Sequence, residues 1–135
     1  MSMSLEEQNE RLVTQFCRDW ANRDAHALAE YLSDDVVYQM YEGHPDIIGP
    51  EAFIKTMDSF LKGLKAVEWE IIRSHAIGEL VINERIDHFI AHDDKRSNHP
   101  VIAGFFLVRD GKIKLWRDYS LPPGISEPGS ANPDA

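Results

Sequence analysis

The hydrophobic pattern of the chain changes once, after Gly63, and this change restricts the folds that the chain can form. Up to that point, apart from a β-branched and aromatic run at residues 36–41, apolar residues recur every three or four positions, as in amphipathic helices. Beyond it apolar and polar residues alternate, as in strands that bury one face. Helices followed by a run of strands predict an α+β fold, with the helices packed on one face of an antiparallel sheet.

Turn and capping residues set the expected bounds of the elements. Asp24 suits the cap of a short helix, Pro50 suits the first turn of a third helix, and residues 109–111 (Arg-Asp-Gly) signal a hairpin. We expect residues 1–122 to form a single domain, and the Pro-, Gly- and Ser-rich residues 123–135 to form a loose tail. The pattern predicts helices over residues 5–20, 25–32 and 50–64, and strands over residues 36–41, 67–74, 80–91, 100–108 and 112–121.

Charge and cysteine content narrow the possible functions. The formal net charge of −9 argues against a nucleic-acid binder, because such proteins use Lys and Arg to displace counterions from phosphates. No apolar run approaches the roughly 18 residues of a membrane-spanning helix, and the polar N-terminal residues lack a signal-peptide core. The single cysteine, Cys17, lies in a helical pattern and is expected to be a small core residue. We therefore expect a cytoplasmic protein without nucleic-acid or membrane partners.

Two charged residues on the predicted strand 80–91 point to a functional site. Alternation places Arg85 and Asp87 on the same face as Val81 and Phe89. If that face packs against the helices, the charges enter an apolar interior, where they are costly unless they are paired. An Arg between carboxylates satisfies its donors through short, charge-assisted hydrogen bonds. Asp118, in the last strand, is the second carboxylate that we expect beside Arg85.

The sequence leaves other interpretations of the charged residues open. Alternation places Lys114 and Trp116 on the same face as Asp118, but it leaves open which face of a strand is buried. Ion pairs on exposed sheet faces are a common alternative. No metal site is predicted, because scattered histidines lack ligand spacing with a third partner. These histidines are His75, His88, His92 and His99.

Two segments of the chain resemble the signature stretches of the limonene-1,2-epoxide hydrolase family. They are residues 83–87 (Asn-Glu-Arg-Ile-Asp) and residues 110–119 (Asp-Gly-Lys-Ile-Lys-Leu-Trp-Arg-Asp-Tyr). Weaker similarity at residues 20–24, 33–35 and 49–53 is typical of the wider superfamily, which includes nuclear-transport-factor-2-like, SnoaL-like and ketosteroid-isomerase-like proteins. The resemblance covers about the length of the domain. It implies a cystatin-like cone, in which a curved antiparallel or mixed sheet is wrapped by the N-terminal helices.

The resemblance implies a role for each residue that matches the family's motifs. Asp87 matches the general acid and Asp118 the general base, with Arg85 between them. Tyr38 matches the tyrosine that helps to hold the nucleophilic water. The implied activity opens a small apolar epoxide to a vicinal diol in one step, because a proton reaches the ring oxygen while deprotonated water attacks carbon. No metal or organic cofactor is implied.

Met40 departs from the family pattern, which has an asparagine two residues after the water-binding tyrosine. A thioether makes no useful hydrogen bond, so the water would lose one of its orienting contacts. Three alternatives follow: a neighbour such as Tyr41 or Glu42 replaces the amide, activity is low, or the pocket serves another purpose. Ketosteroid-isomerase-like proteins have their catalytic Asp at this position and a tyrosine in place of Phe16, which argues against isomerase chemistry.

The expected binding partner is a small apolar molecule. Two further functions remain open: a non-catalytic module of the same fold that binds such a ligand, and a SnoaL-like polyketide cyclase or isomerase. Apolar residues on both faces of the strands leave a sheet face to be covered, which predicts a homodimer formed by sheet packing. The residues expected to line the substrate pocket are Met40, Phe89, Trp116 and Phe16.

Overall fold

The computed structural model describes residues 3–122, and the predicted tail over residues 123–135 lies outside this range. Short 3₁₀ turns at Trp20–Asn22 and Asp94–Arg96 accompany the longer elements. The helices are α1 (Leu5–Asp19), α2 (Ala25–Ala29) and α3 (Pro50–Lys62). The strands are β1 (Leu32–Gln39), β2 (Ile47–Ile48), β3 (Ala66–Ile77), β4 (Leu80–Ile90), β5 (Val101–Arg109) and β6 (Lys112–Ser120).

The strands form one mixed sheet in the order β2-β1-β6-β5-β4-β3. β1 and β6 run parallel, whereas the other neighbouring pairs within residues 3–122 are antiparallel. Helix α1 packs against β3 and β4, and α3 packs against β1. The helices therefore cover one face of a curved, unclosed sheet, and the predicted α+β fold with a mixed sheet is confirmed.

Helix α1 begins at the predicted position because Ser4 caps it. Ser4 Oγ accepts a hydrogen bond from the backbone N–H of Glu7 at 3.1 Å, which satisfies a donor that has no partner within the helix. The apolar stripe of α1 includes Val13, Phe16 and Cys17, and each of these is fully buried. This stripe forms the wall against which the inner face of the sheet packs. In the described part of the chain, no helix is both long enough and apolar enough to cross a membrane.

The first strand begins earlier than predicted. The local pattern assigns residues 33–35 (Ser-Asp-Asp) to the end of the preceding helix, but they belong to β1, which starts at Leu32. Leu32 is buried and pairs with Ile113 of β6. The short strand β2, which lies in a segment predicted as loop, pairs with β1 on its other side. Both differences arise because each strand is defined by a pairing partner outside its own segment, so the pattern of that segment does not contain the partner.

A β-bulge in β6 changes which residues of that strand face inward. The register of β6 against β5 shifts near the start of the strand. Ile113, Trp116 and Asp118 are buried, although their spacing does not follow strict alternation. Lys114 instead forms a 2.9 Å ion pair with exposed Asp35. The prediction that Lys114 shares a face with Asp118 is wrong, because the extra residue of a bulge interrupts alternation.

Aromatic side chains fill the core between the helices and the sheet. Trp20 stacks on Trp69 with 3.9 Å between ring centroids, and Tyr38 stacks on Trp116 with 3.6 Å between centroids. Phe16 of α1 contacts Trp116 edge-on at 5.1 Å. These rings connect β1, β3 and β6 to the first helix, so the strands that carry the charged residues are held by rigid packing.

Candidate active site

Arg85 lies at the centre of a buried group of charges on the inner face of β4. Its side chain is fully buried. Nε donates to Asp87 Oδ1 at 2.7 Å, and Nη2 donates to Asp118 Oδ2 at 2.6 Å. Nη2 also lies 3.2 Å from Asp87 Oδ2. The structure therefore brings together the three charged residues that the sequence singles out, and it places them on the face that the helices cover.

Asp118 is held by donors from two different residues. Arg85 Nη2 binds one of its oxygens, and Trp116 Nε1 donates to the other, Oδ1, at 2.8 Å. Among the described residues, Asp87 accepts side-chain hydrogen bonds from Arg85 alone. A second, independent donor favours the ionised form of a carboxylate. The two carboxylates are therefore not equivalent, and Asp118 is the one that is better prepared to stay ionised.

Gly104 of β5 makes the contact between Arg85 and Asp118 possible. β5 lies between β4 and β6, and Gly104 pairs with Asn83 on one side and with Asp118 on the other. A Cβ atom on Gly104 would overlap Arg85 Nη1 and would lie 2.8 Å from Asn83 Oδ1 and 2.9 Å from Phe106 Cε1. The guanidinium of Arg85 therefore crosses β5 over bare backbone to reach Asp118.

The remaining sides of the guanidinium are also occupied. Arg85 Cζ lies 4.1 Å from the ring centroid of Trp69, a cation–π contact. Arg85 Nη1 donates to Asn83 Oδ1 at 3.2 Å, and Asn83 Nδ2 lies 3.6 Å from Cys17 Sγ. Because a buried cation is costly unless it is paired and hydrogen-bonded, these contacts explain how Arg85 remains charged inside the domain.

Burial and mutual charge shift the pKa values of the group. Burial, opposed by Arg85, raises the pKa of Asp87 to about 6. Burial also raises the pKa of Asp118, against the opposing effects of Arg85 and the Trp116 hydrogen bond. Burial alone would lower the pKa of Arg85, but the two carboxylates outweigh it and raise that pKa. The result is a permanent cation between two carboxyl groups, of which Asp87 changes its protonation state near neutral pH.

A largely apolar cavity of about 280 Å³ opens onto the two carboxylates. Asp87, Asp118 and Tyr38 are almost fully buried at its floor. Tyr41 and Asn98 are exposed at its mouth. Its lining residues are Trp20, Tyr38, Met40, Tyr41, Met57, Phe60, Trp69, Asp87, Phe89, Asn98, Pro100, Ile102, Asp118 and Ser120.

The residues expected to line the pocket divide into two pairs. Met40 and Phe89 line the cavity together with Tyr38. Burial raises the pKa of Tyr38 well above its usual value, so its phenol stays neutral. Trp116 and Phe16 lie outside the lining, contrary to expectation. Tyr38 stacks over Trp116 and Phe16 lies against that ring, so both are core residues behind the cavity.

A second depression in the surface lacks the chemistry of this cavity. A more open depression of about 560 Å³ lies at the opposite strand ends, near Asp35 and Lys112. Charged side chains around it already bind protein groups: Lys114 pairs with Asp35, and Lys112 Nζ donates to the backbone oxygen of Glu30. Within residues 3–122, no group of three or more His, Cys, Asp or Glu is arranged to hold a metal ion.

Sequence reasoning missed two residues of the site, Gly104 and Asn98. The signal for Gly104 was present, because an isolated Gly within a strand pattern often marks a close approach of another group. Asn98 carried no such signal, because it lies in a polar segment predicted as a turn. The structure pairs it with Phe89 of β4 and brings it to the cavity.

Residues 7–121 match the family model of the limonene-1,2-epoxide hydrolase catalytic domain. Among solved structures, an M. tuberculosis LEH-like epoxide hydrolase is 30% identical, with a TM-score of 0.75, over 86% of this chain and 84% of that one. A proposed polyketide cyclase from Xanthomonas campestris pv. campestris is 24% identical, with a TM-score of 0.74, over 86% of this chain and 92% of that one. A proposed SnoaL-like polyketide cyclase from Shewanella denitrificans OS-217 is 13% identical, with a TM-score of 0.74, over 84% of this chain and 90% of that one.

Part of the chain is also similar to part of a dehydrogenase. The 3-isopropylmalate dehydrogenase of Mycobacterium avium (strain 104) is 35% identical over 107 residues, which are 66% of this chain and 32% of that protein. This chain therefore spans about a third of the length of the curated relatives it matches.

The fold, the apolar cavity and the similar structures define the class of the protein, a cone-shaped α+β domain with a cavity between its helices and its sheet. The match over most of the chain narrows this class. The chain belongs to the limonene-1,2-epoxide hydrolase family, as its two motifs predict.

Proposed function

We propose that this chain is an epoxide hydrolase that opens a small apolar epoxide to a vicinal diol by one-step attack of water. The observation that carries the proposal is the buried Asp87–Arg85–Asp118 group at the floor of an apolar cavity. Ring opening in one step needs one group that donates a proton and a second group that accepts one. Two carboxylates with different surroundings and a shared cation can divide these tasks.

The reaction assigns one proton transfer to each carboxylate. Asp118 accepts a proton from water while the water oxygen bonds to an epoxide carbon. The carbon–oxygen bond of the ring breaks at that carbon, and the ring oxygen takes the proton of Asp87. The diol then contains every atom of the epoxide and the water. Return of the proton from Asp118 to Asp87 restores the enzyme.

The roles of acid and base follow from the contacts of the two carboxylates. Asp118 accepts hydrogen bonds from Arg85 and Trp116, and both favour its ionised form. Asp87 has a pKa of about 6, so about a tenth of the molecules carry its proton at pH 7. Arg85 contacts both and balances the single negative charge that remains when one proton is shared. Asp118 is therefore the base and Asp87 the acid.

The nucleophilic water has a smaller set of orienting groups than the family pattern provides. Tyr38 lines the cavity with a neutral phenol, which can donate or accept a hydrogen bond. Met40 lines the same region and contributes only apolar surface. Glu42 is not among the lining residues of the cavity. Its carboxylate accepts hydrogen bonds from the backbone N–H and the hydroxyl of Ser120. We assign the water to Asp118 and Tyr38.

The cavity volume of about 280 Å³ lies just below the range of roughly 300–1,000 Å³ that is usual for small-molecule pockets. Its walls are aromatic and aliphatic except at the carboxylates, Tyr38 and the mouth. These dimensions favour a compact apolar substrate, such as a cyclic epoxide.

The proposal includes a second copy of the chain on the outer face of the sheet. Side chains there are half-buried at most, and they include an aromatic pair, Phe105 and Tyr119, with 5.5 Å between ring centroids. A face of this kind is expected to be covered in solution. Static light scattering should give twice the 15.4 kDa of the chain at micromolar concentration. A mass equal to one chain would contradict the homodimer. The apolar residues of this face are Ile82, Ile86, Ile90, Val101, Phe105 and Leu107.

The test of the proposed function measures diol formation from a panel of terpene, cycloalkene and styrene epoxides. We expect turnover by the unaltered chain and a loss of about a hundredfold or more in Asp118→Asn, because the amide cannot accept the proton. Asp35→Asn is the matched control, because Asp35 is exposed and pairs with Lys114 outside the cavity. No turnover of any epoxide, or equal turnover in Asp118→Asn, would refute the assignment.

Met40 favours one alternative, a non-catalytic module that binds a small ligand in the same cavity. Replacing Met40 with Asn separates the two functions, because it restores the amide of the family pattern. A hydrolase that lacks an orienting contact should gain about tenfold to a hundredfold in kcat. A binding module should remain inactive in both forms and should carry a bound small molecule in native mass spectra.

A further inference from the structure

Asn98 is a polar residue of the cavity that the proposed chemistry does not use. It lies between the 3₁₀ turn at Asp94–Arg96 and β5, and it forms an isolated antiparallel bridge with Phe89. The backbone N–H of Asn98 donates to the oxygen of Phe89 at 2.9 Å, and the N–H of Phe89 donates to the oxygen of Asn98 at 2.8 Å. These paired hydrogen bonds hold Asn98 beside β4, the strand that carries Arg85 and Asp87.

The register of this bridge gives the direction of the Asn98 side chain. Directly paired residues of antiparallel strands have their side chains on the same face. Phe89 shares its face with Asp87 and lines the cavity, and Asn98 lines it too. The next residue, His99, faces outward, because its Nδ1 lies 2.8 Å from Nδ1 of His88 on the outer face.

Asn98 is therefore a diagonal neighbour of the proposed acid. The backbone N–H of Asp87 donates to the oxygen of Pro100 at 2.9 Å, so Asn98 lies two residues away from the position opposite Asp87. Diagonal neighbours of this kind have Cβ atoms roughly 7 Å apart. Among the described residues, the side-chain amide of Asn98 has no hydrogen-bond partner, and Asn98 is exposed where it lines the cavity. A ligand that contacts Asp87 therefore lies within reach of a free amide donor and acceptor.

The polar lining of the cavity is thus asymmetric. Next to the base, Tyr38 is assigned to the nucleophilic water, and Met40 offers no hydrogen bond. The hydroxyl of Ser120 already donates to Glu42 at 3.1 Å. Next to the acid, Asn98 has its full hydrogen-bonding capacity available. The substrate that suits this arrangement carries a polar atom on the side of the epoxide oxygen and apolar groups elsewhere.

We propose that Asn98 binds a hydroxyl or carbonyl oxygen on the carbon next to the epoxide ring, so that the enzyme favours epoxy alcohols and epoxy ketones over hydrocarbon epoxides. This inference rests on the proposed epoxide hydrolysis and names its substrate class. Asn98 contacts the substrate and determines specificity, whereas proton transfer remains with Asp87 and Asp118.

The test compares two probes with the same ring, cyclohexene oxide and 2,3-epoxycyclohexan-1-ol. The unaltered chain should have the higher kcat/KM for the epoxy alcohol. Asn98→Leu, which keeps the branching of the side chain at Cγ and removes its polar atoms, should lower the ratio of the two kcat/KM values by about fivefold to tenfold, the worth of one exposed neutral hydrogen bond. His99→Gln is the matched control, because it changes the adjacent, outward-facing residue, and it should leave the ratio unchanged.

Two results separate failure of this inference from failure of the proposed function. Equal kcat/KM values for the two probes, or a ratio that survives in Asn98→Leu, would overturn the role of Asn98 while hydrolysis stands. If neither these probes nor any epoxide of the panel is hydrolysed, the proposed function fails. Quenching of the fluorescence of Trp20 and Trp69, which line the cavity, then gives the Kd of each probe. A Kd ratio that Asn98→Leu leaves unchanged would again overturn the assignment, and a ratio that it lowers would support it.

Discussion

Replacement of Gly104 with Ala should break the buried charge group without removing any charged residue. The new methyl group would overlap Arg85 Nη1 and crowd Asn83 and Phe106. Arg85 is fully buried and is held on both sides by carboxylates, so its guanidinium can move away only by giving up the 2.6 Å contact with Asp118. Overpacking of a core costs about 1–3 kcal/mol, and breaking a buried ion pair costs about 3–5 kcal/mol. If the guanidinium moves away, the overpacking is relieved but the ion pair breaks, so the two costs do not add in full. We therefore expect a loss of about 3–5 kcal/mol in the free energy of unfolding.

Urea denaturation at pH 7 measures this loss, and a second background shows whether it acts through Arg85. In Arg85→Ala, the same Gly104→Ala substitution should cost less than it does in the unaltered chain, because the overlap with Arg85 is gone and only the crowding of Asn83 and Phe106 remains. Diol formation provides the parallel readout, and Gly104→Ala should lower kcat by about a hundredfold or more. Ala103→Gly controls for changes to the backbone of β5 and should cost about 0.5–1 kcal/mol. An unfolding free energy of Gly104→Ala within 1 kcal/mol of the unaltered chain would refute the reasoning.

Three further predictions concern the protonation of the group. The pKa of Asp87 is about 6, above an unfolded value of about 3.9, so its contribution to stability is complete below pH 4 and is lost as the pH rises through 6. Urea denaturation at pH 4 and pH 7 should therefore show that the advantage of the unaltered chain over Asp87→Asn is about 2 kcal/mol larger at pH 4, and a constant difference would contradict this. For the same reason kcat/KM should fall about tenfold per pH unit above pH 6. Trp116→Phe removes the 2.8 Å hydrogen bond to Asp118, which lowers the pKa of that carboxyl, so the pKa of Asp118 rises and the acid limb of the kcat/KM profile should move to higher pH. An unmoved acid limb would argue against Asp118 as the base.

The sequence by itself determined the class of the fold and the charged residues of the site. The change from helical to alternating pattern predicts the α+β class, because both periods are local properties of the chain. Alternation along β4 correctly groups Arg85 and Asp87 with Val81, because no irregularity interrupts that face. The two motifs then indicate the family that the comparisons confirm.

The tertiary structure decided which face is buried and which residues from different strands meet. Alternation was unable to place Lys114, because the bulge of β6 depends on pairing with β5. It was equally unable to bring Asp118 to Arg85, since that contact requires β5 to lie between them with Gly104 at the crossing point. Asn98 joins the cavity through its bridge with Phe89. Each of these contacts depends on the register between strands, which long-range packing sets and which local periodicity does not contain.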